Sequence, residues 1–175
     1  FTLDDYLSGR YYPMWVREVR PMSDGEHFAA LSRKTIQKYS YKTGDQEGAL
    51  AELPSYPDGY ELSGNESKIL FYTGSRQVYR HSFLATYQVM DIESGECQQL
   101  YGEPQRDASL SSDGSMAAFI VSNNIFLKNL ATGDVTQVTS DGQEVKVING
   151  APDWVYEEEF GFSKAYELSP CGKYL

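Results

Sequence analysis

The chain has 175 residues, of which 41% are hydrophobic and 14% aromatic, enough to build one domain with a real core. With 25 acidic and 15 basic residues its formal net charge is −10. That balance argues against a nucleic-acid partner, since phosphate binding needs clustered Lys and Arg.

Fifteen Gly and seven Pro, spread along the chain, imply many short elements joined by turns, and so an all-β protein. The first element to recur begins at Met22-Ser-Asp-Gly-Glu-His-Phe-Ala-Ala-Leu31, a polar turn running into an apolar strand. It returns as Leu62-Ser-Gly-Asn-Glu-Ser-Lys-Ile-Leu-Phe-Tyr72, as Leu110-Ser-Ser-Asp-Gly-Ser-Met-Ala-Ala-Phe-Ile120 and as Leu168-Ser-Pro-Cys-Gly-Lys-Tyr-Leu175. Asp24, Asn65, Asp113 and Cys171 are equivalent, at intervals of 41, 48 and 58 residues. Each of the first three repeats is followed by a second hairpin whose turn ends in Gly44, Gly95 or Gly133, where a tight turn needs a positive φ. In the second repeat, Tyr87, Val89 and Ile92 alternate with Gln88, Asp91 and Glu93, with a slip expected near Met90.

About four short strands per ~40 residues is the pattern of a β-propeller blade. A sandwich would give strands without a returning Ser-x-Asp-Gly turn. The chain therefore reads as a partial β-propeller, about three blades plus the start of a fourth. Complete rings close on ~4–8 blades to remove sheet edges. Residues 1–175 are thus expected to be a fragment of a larger propeller whose open ends either pair with another chain, as in a homo-oligomer, or are partly disordered. Phe1 does not look like a native start, which fits a removed leader or an artificial boundary.

Two repeats depart from the minimal blade. Between turn and hairpin Gly lie 20 residues in the first and third repeats but 30 in the second, the excess falling at Gly74-Ser-Arg-Gln-Val-Tyr-Arg-His-Ser82. The connection from Thr139 to Leu168 takes 29 residues and carries Asn149-Gly-Ala-Pro-Asp-Trp-Val-Tyr-Glu-Glu-Glu-Phe160. Insertions in repeat proteins tend to emerge on the binding face.

The acidic run Glu157-Glu158-Glu159 lies among Trp154, Tyr156, Phe160 and Phe162, which are expected to anchor the segment. Neighbouring side chains of a strand point to opposite faces, whereas a helical turn sets them ~100° apart, as a pincer requires. Residues 153–160 are therefore expected to form a short helix with Asp153 as N-cap after Pro152. Packed carboxylates raise one another's pKa unless a cation relieves them. Arg80, on the other insertion, is the candidate cation, with His81 either orienting it or packing beside Tyr79. His27, at a strand start, reads as structural. Cys97 and Cys171 show no metal-ligand spacing and are expected to be two free thiols; no metal or cofactor is implied.

The segment Asp153-Trp-Val-Tyr-Glu-Glu-Glu159 resembles the Asp-Trp-x-x-Glu-Glu signature of the dipeptidyl peptidase IV family, within the prolyl oligopeptidase clan. Tyr79-Arg-His-Ser82 resembles that family's substrate-binding arginine segment. The resemblance implies an eight-bladed propeller joined to a C-terminal α/β-hydrolase domain, which residues 1–175 do not include. It implies a serine exopeptidase that removes N-terminal dipeptides with Pro or Ala second. By match to the motifs, Glu158 and Glu159 would bind the substrate α-ammonium and Arg80 a substrate carbonyl, with Asp153, Trp154, Tyr156 and His81 in support and Glu157 structural. An extracytoplasmic location follows from the same resemblance. No Gly-x-Ser-x-Gly elbow is present, so these residues alone hold no catalytic group and should be inactive. The partners implied are peptide N-termini and the missing hydrolase domain. The alternative is a non-catalytic propeller module that binds a partner protein.

Overall fold

A computed structural model describes residues 2–12 and 15–175. Among the described residues, twelve strands follow one another as antiparallel meanders, with a short helix at either end, α1 (Leu3–Leu7) and α2 (Trp154–Phe160). The first blade is β1 (Arg17–Pro21), β2 (His27–Ser32), β3 (Thr35–Ser40) and β4 (Gln46–Glu52), in that spatial order. The second is β5 (Gly59–Leu62), β6 (Lys68–Gln77), β7 (Phe83–Asp91) and β8 (Cys97–Gln99). The third is β9 (Gln105–Leu110), β10 (Met116–Val121), β11 (Asn124–Asn129) and β12 (Val135–Gln137). Beyond the third, Ser169 N–H donates to Tyr174 O at 2.9 Å and Gly172 N–H to Ser169 O at 2.8 Å, the turn that opens a fourth repeat. Three blades and the start of another are therefore present, as the repeats predict.

The recurring polar turn works through its acid or amide. Asp24 Oδ1 accepts from the N–H groups of Glu26 and His27 at 2.9 and 3.0 Å, and Asp113 Oδ1 from Ser115 N–H at 3.0 Å. Gly25, Gly114 and Gly172 take the left-handed position that follows, but the second repeat places Glu66 there at φ 57°. The carboxylate of Glu66 accepts from Ser23 N–H, and Asn65 Nδ2 donates to Asp113 O at 2.7 Å. Turns of adjacent blades are thereby clipped together.

The core lies between blades. Ile69 and Phe71 pack with Met22, Leu31, Ile36 and Leu53 of the first blade, while Leu70 packs with Tyr87, Val89, Leu100 and Phe119 toward the third. A central blade buries both faces, so its strands read as continuous apolar runs. This corrects the slip expected at Met90. Met90 pairs with Ile69 and Val89 with Leu70 without a break, Met90 facing the first blade and Val89 the third.

The ten extra residues of the second repeat lengthen a hairpin. Strands β6 and β7 continue past the blade through Arg76–Leu84 and Gln77–Phe83, after a register shift between Thr73 and Arg76, and turn at Val78–Ser82. At the base of this extension β7 also pairs with β9, through Leu84–Arg106 and Ala85–Gln105, which joins the second and third blades in one sheet.

Candidate functional site

Helix α2 forms where the sequence places it. Asp153, in extended conformation after Pro152, accepts at Oδ1 from the N–H groups of Val155 and Tyr156 at 3.0 and 3.3 Å. This satisfies donors that the first turn would otherwise leave bare. Gly161, at φ 75°, ends the helix with its N–H on Glu157 O at 3.1 Å. Seven residues are too few for a helix to persist in water unaided, so tertiary contacts must hold it.

The principal contact is Glu157, which is completely buried. Its Oε1 accepts from two consecutive backbone N–H groups at the hairpin tip, His81 at 2.6 Å and Ser82 at 2.7 Å. Its Oε2 lies 3.7 Å from Arg106 Nη2 on β9. Burial works against the charge on Glu157, but the Ser82 and His81 N–H groups, with Arg106 nearby, prevail and hold the carboxyl below its ordinary range. Packed acids raise one another's pKa unless something relieves them, and the sequence offers Arg80 as the relieving cation. For Glu157 the relief comes from the backbone donors of Ser82 and His81, with Arg106, and not from Arg80. Arg106 is itself fixed, with Nε on Asp107 Oδ2 at 2.8 Å and Nη2 on Ser163 O at 3.3 Å. Asp107 also accepts from Ser163 Oγ at 2.7 Å, and burial pushes its carboxyl up against those contacts.

The two insertions meet at Arg80 and Glu158, where Arg80 Nε stands 3.0 Å from Glu158 Oε2. The Arg80 side chain is 70% exposed and that of Glu158 only 16%. Glu159, the next residue, is exposed. Gln77 Nε2 donates to Arg80 O at 2.8 Å. His81 joins the site through its backbone N–H and not through its ring.

The aromatic residues behave differently from expectation. Trp154, Tyr156, Phe160 and Phe162 are 54%, 50%, 67% and 43% exposed and enter neither blade core. Tyr156, Phe160 and Phe162 pack on one another with ring centroids 5.6–6.4 Å apart. They cover the helix surface and do not anchor it; the anchor is the carboxylate of Glu157. Arg106, Asp107 and Ser163 escape sequence reasoning, because nothing in the local pattern at the start of β9 signals a partner about fifty residues away.

Elsewhere, His27 is structural as expected, with Nδ1 2.6 Å from Asp24 Oδ2 and Nε2 2.8 Å from Glu47 Oε2. Cys97 and Cys171 are free and exposed. Among the described residues no helix is long and apolar enough to cross a membrane.

Residues 63–175 match the family model described as the dipeptidyl peptidase IV (DPP IV) N-terminal region. Prolyl endopeptidase FAP of Mus musculus is 30% identical over 184 residues, covering 99% of this chain and 24% of that protein. A probable dipeptidyl-aminopeptidase B of Verticillium alfalfae is 35% identical over 182 residues, covering 99% of this chain and 20% of that protein. In structure, the chain is similar to Porphyromonas gingivalis dipeptidyl peptidase 4, with a TM-score of 0.85 and 34% identity over 98% of this chain and 26% of the other. The tricorn protease, at 15% identity and a TM-score of 0.52, shares the fold alone. The chain spans about a fifth to a quarter of the length of the curated relatives it matches.

Proposed function

This chain belongs to the dipeptidyl peptidase IV family, and from that premise we propose that it is the part of a serine dipeptidyl peptidase that recognises the free N-terminus of a peptide. Glu158 and Glu159 bind the substrate α-ammonium and Arg80 binds a substrate carbonyl. A terminal amine of pKa ~8 is charged at neutral pH and offers three donors, and charge-assisted bonds to fixed carboxylates are the strong kind. Two extended residues span only ~7 Å, so an anchored amine sets the scissile bond at a constant distance and selects dipeptides. The catalytic Ser, Asp and His stand on a hydrolase domain outside these residues, which also completes the pocket for Pro or Ala as second residue. The protein acts outside the cytoplasm.

The observation that carries this reading is the contact between Arg80 and Glu158 across the two insertions. An ion pair with so exposed an arginine contributes only ~0–1 kcal/mol to stability. Holding the insertions together is therefore a weak reason for Arg80 to be there, and offering its remaining donors to a ligand is a better one.

The test is hydrolysis of a Gly-Pro-chromogen and of its N-acetylated form by the full-length protein, as wild type, Glu158→Gln and Glu159→Gln. The expected outcome is a strict need for the free amine and a loss of at least ~2 kcal/mol of transition-state stabilisation in either variant. Cleavage of the acetylated substrate, or indifference of both variants, would overturn it. The second reading, a non-catalytic module that binds a partner protein, is favoured by one feature, the exposed cluster of Tyr156, Phe160 and Phe162. It would lead if the full-length protein hydrolyses neither substrate.

A further inference from the structure

Glu157 has the burial of a core residue but the partners of a site residue. The N–H groups it accepts from belong to His81 and Ser82, the two residues that follow Arg80. The first of them lies in the peptide plane between Arg80 and His81. The carbonyl of that same plane accepts from Gln77 Nε2 at 2.8 Å. One peptide unit is therefore gripped on both sides, and it cannot rotate without breaking a hydrogen bond. On the helix, Glu157 is covalently next to Glu158. Arg80 and Glu158 are thus each one residue from the same partly buried hydrogen bond, and the exposed guanidinium meets the carboxylate 3.0 Å away.

Two further observations speak against plain fold stabilisation as its whole role. An apolar residue of similar volume would fill the space without desolvating a charge, and burying a carboxylate is costly unless it is well satisfied. Moreover, Glu157 Oε2 has no hydrogen-bond partner and stands 3.7 Å from Arg106 Nη2, beyond hydrogen-bonding distance. The carboxylate is thus turned toward the hairpin tip through Oε1, and Arg106 balances its charge from behind.

We infer that Glu157 is a positioning residue for the ammonium site, holding Arg80 and Glu158 in register through the His81 and Ser82 N–H groups; this rests on the reading of Glu158, Glu159 and Arg80 given above. It does not touch the substrate. Its effect reaches the ligand through the geometry of its neighbours, where small displacements are costly.

Glu157→Ala and Glu157→Gln in the full-length protein test it. The amide oxygen of Gln can still accept both N–H groups, whereas Ala accepts neither. Two readouts apply: amide hydrogen exchange at His81 and Ser82, and kcat/KM on the free-amine Gly-Pro-chromogen per active site titrated with a fluorophosphonate. That titration needs no substrate amine and counts folded enzyme, so a merely structural role leaves the normalised kcat/KM unmoved. The expected result for Ala is at least tenfold faster exchange at both amides and at least a tenfold loss of normalised kcat/KM. Gln should restore both to within about threefold of wild type. Normalised kcat/KM unchanged in Ala, or Gln as impaired as Ala while both amides stay protected, would overturn the inference. Glu158→Gln and Glu159→Gln, measured alongside, separate the two claims. If they are impaired and Glu157→Ala is not, only the positioning role fails. If they are indifferent, the ammonium reading fails, and faster exchange in Ala then reports a clamp without that purpose.

Discussion

In the second blade the large side chains lie inside and the charges outside: Tyr60, Ile69, Leu70 and Phe71 are all at most 1% exposed. On α2 the arrangement is inverted. Trp154, Tyr156 and Phe160 are half exposed or more, and the completely buried group is the carboxylate of Glu157. A blade wedged between two others gains from every apolar side chain on either face, so apolar burial holds it. A seven-residue helix outside the blades has no such wedge. A few directed hydrogen bonds fix its place, and such bonds specify geometry more than they add net stability. The difference teaches where to look for function in this fold: at the segment whose position is set by polar contacts to a distant loop.

The largest effect that could break this comparison is a matched pair of truncations. Phe71→Ala should destabilise the protein by ~3–5 kcal/mol through the cavity left between the first and second blades. Phe160→Ala should change stability by no more than ~0.5 kcal/mol, as exposed positions do. Chemical denaturation measures both, and similar losses would mean that the aromatic cluster of α2 is a true core.

Removing the N-cap sharpens the contrast at intermediate scale. Asp153→Ala should cost ~0.5–2 kcal/mol locally, because the Val155 and Tyr156 N–H groups lose their acceptor. Amide exchange should speed up in α2 while the amides of β6 keep their protection. Equal acceleration in β6 would show that α2 and the second blade unfold as one unit.

The smallest effect compares two polar clamps by pH. His27 faces Asp24 of the first polar turn, Glu47 of β4 and, across Asp24, Lys38 of β3. Only an imidazolium can donate from both ring nitrogens to the two carboxylates. The hydrogen bond to Asp24 raises His27 above its usual 6.5, and that to His27 lowers Asp24 from 3.8 to about 2. The raised group contributes fully below pH 6.5 and its contribution is lost as pH rises through the folded pKa. The lowered one contributes above pH 3.8 and is lost as pH falls toward 2. Glu157, also lowered, contributes above its usual 4.5 and is lost only in acid. Between pH 6 and 9 the His27 clamp should therefore lower the melting temperature as pH rises, and His27→Gln should flatten that decline. A decline that persists in the variant would assign it to another group.

Much of this protein can be read from the order of its residues, and the legible part has a common cause: it is local. The Ser-x-Asp-Gly turns, the hairpin glycines and the Asp153 cap each act on donors or φ angles within a few residues, so spacing alone placed three blades, the start of a fourth, and α2. The contrast in length between repeats likewise marked the two segments that meet at Arg80 and Glu158. What only the tertiary structure decided concerns faces and distant partners. Val89 and Met90 are neighbours that serve different cores, because a middle blade has two buried sides. Glu157, Glu158 and Glu159 are identical in sequence terms, yet one is buried, one is paired and one is exposed. The fate of Glu157 was set by backbone donors 75 and 76 residues away, which carry no side-chain signature that a sequence could display.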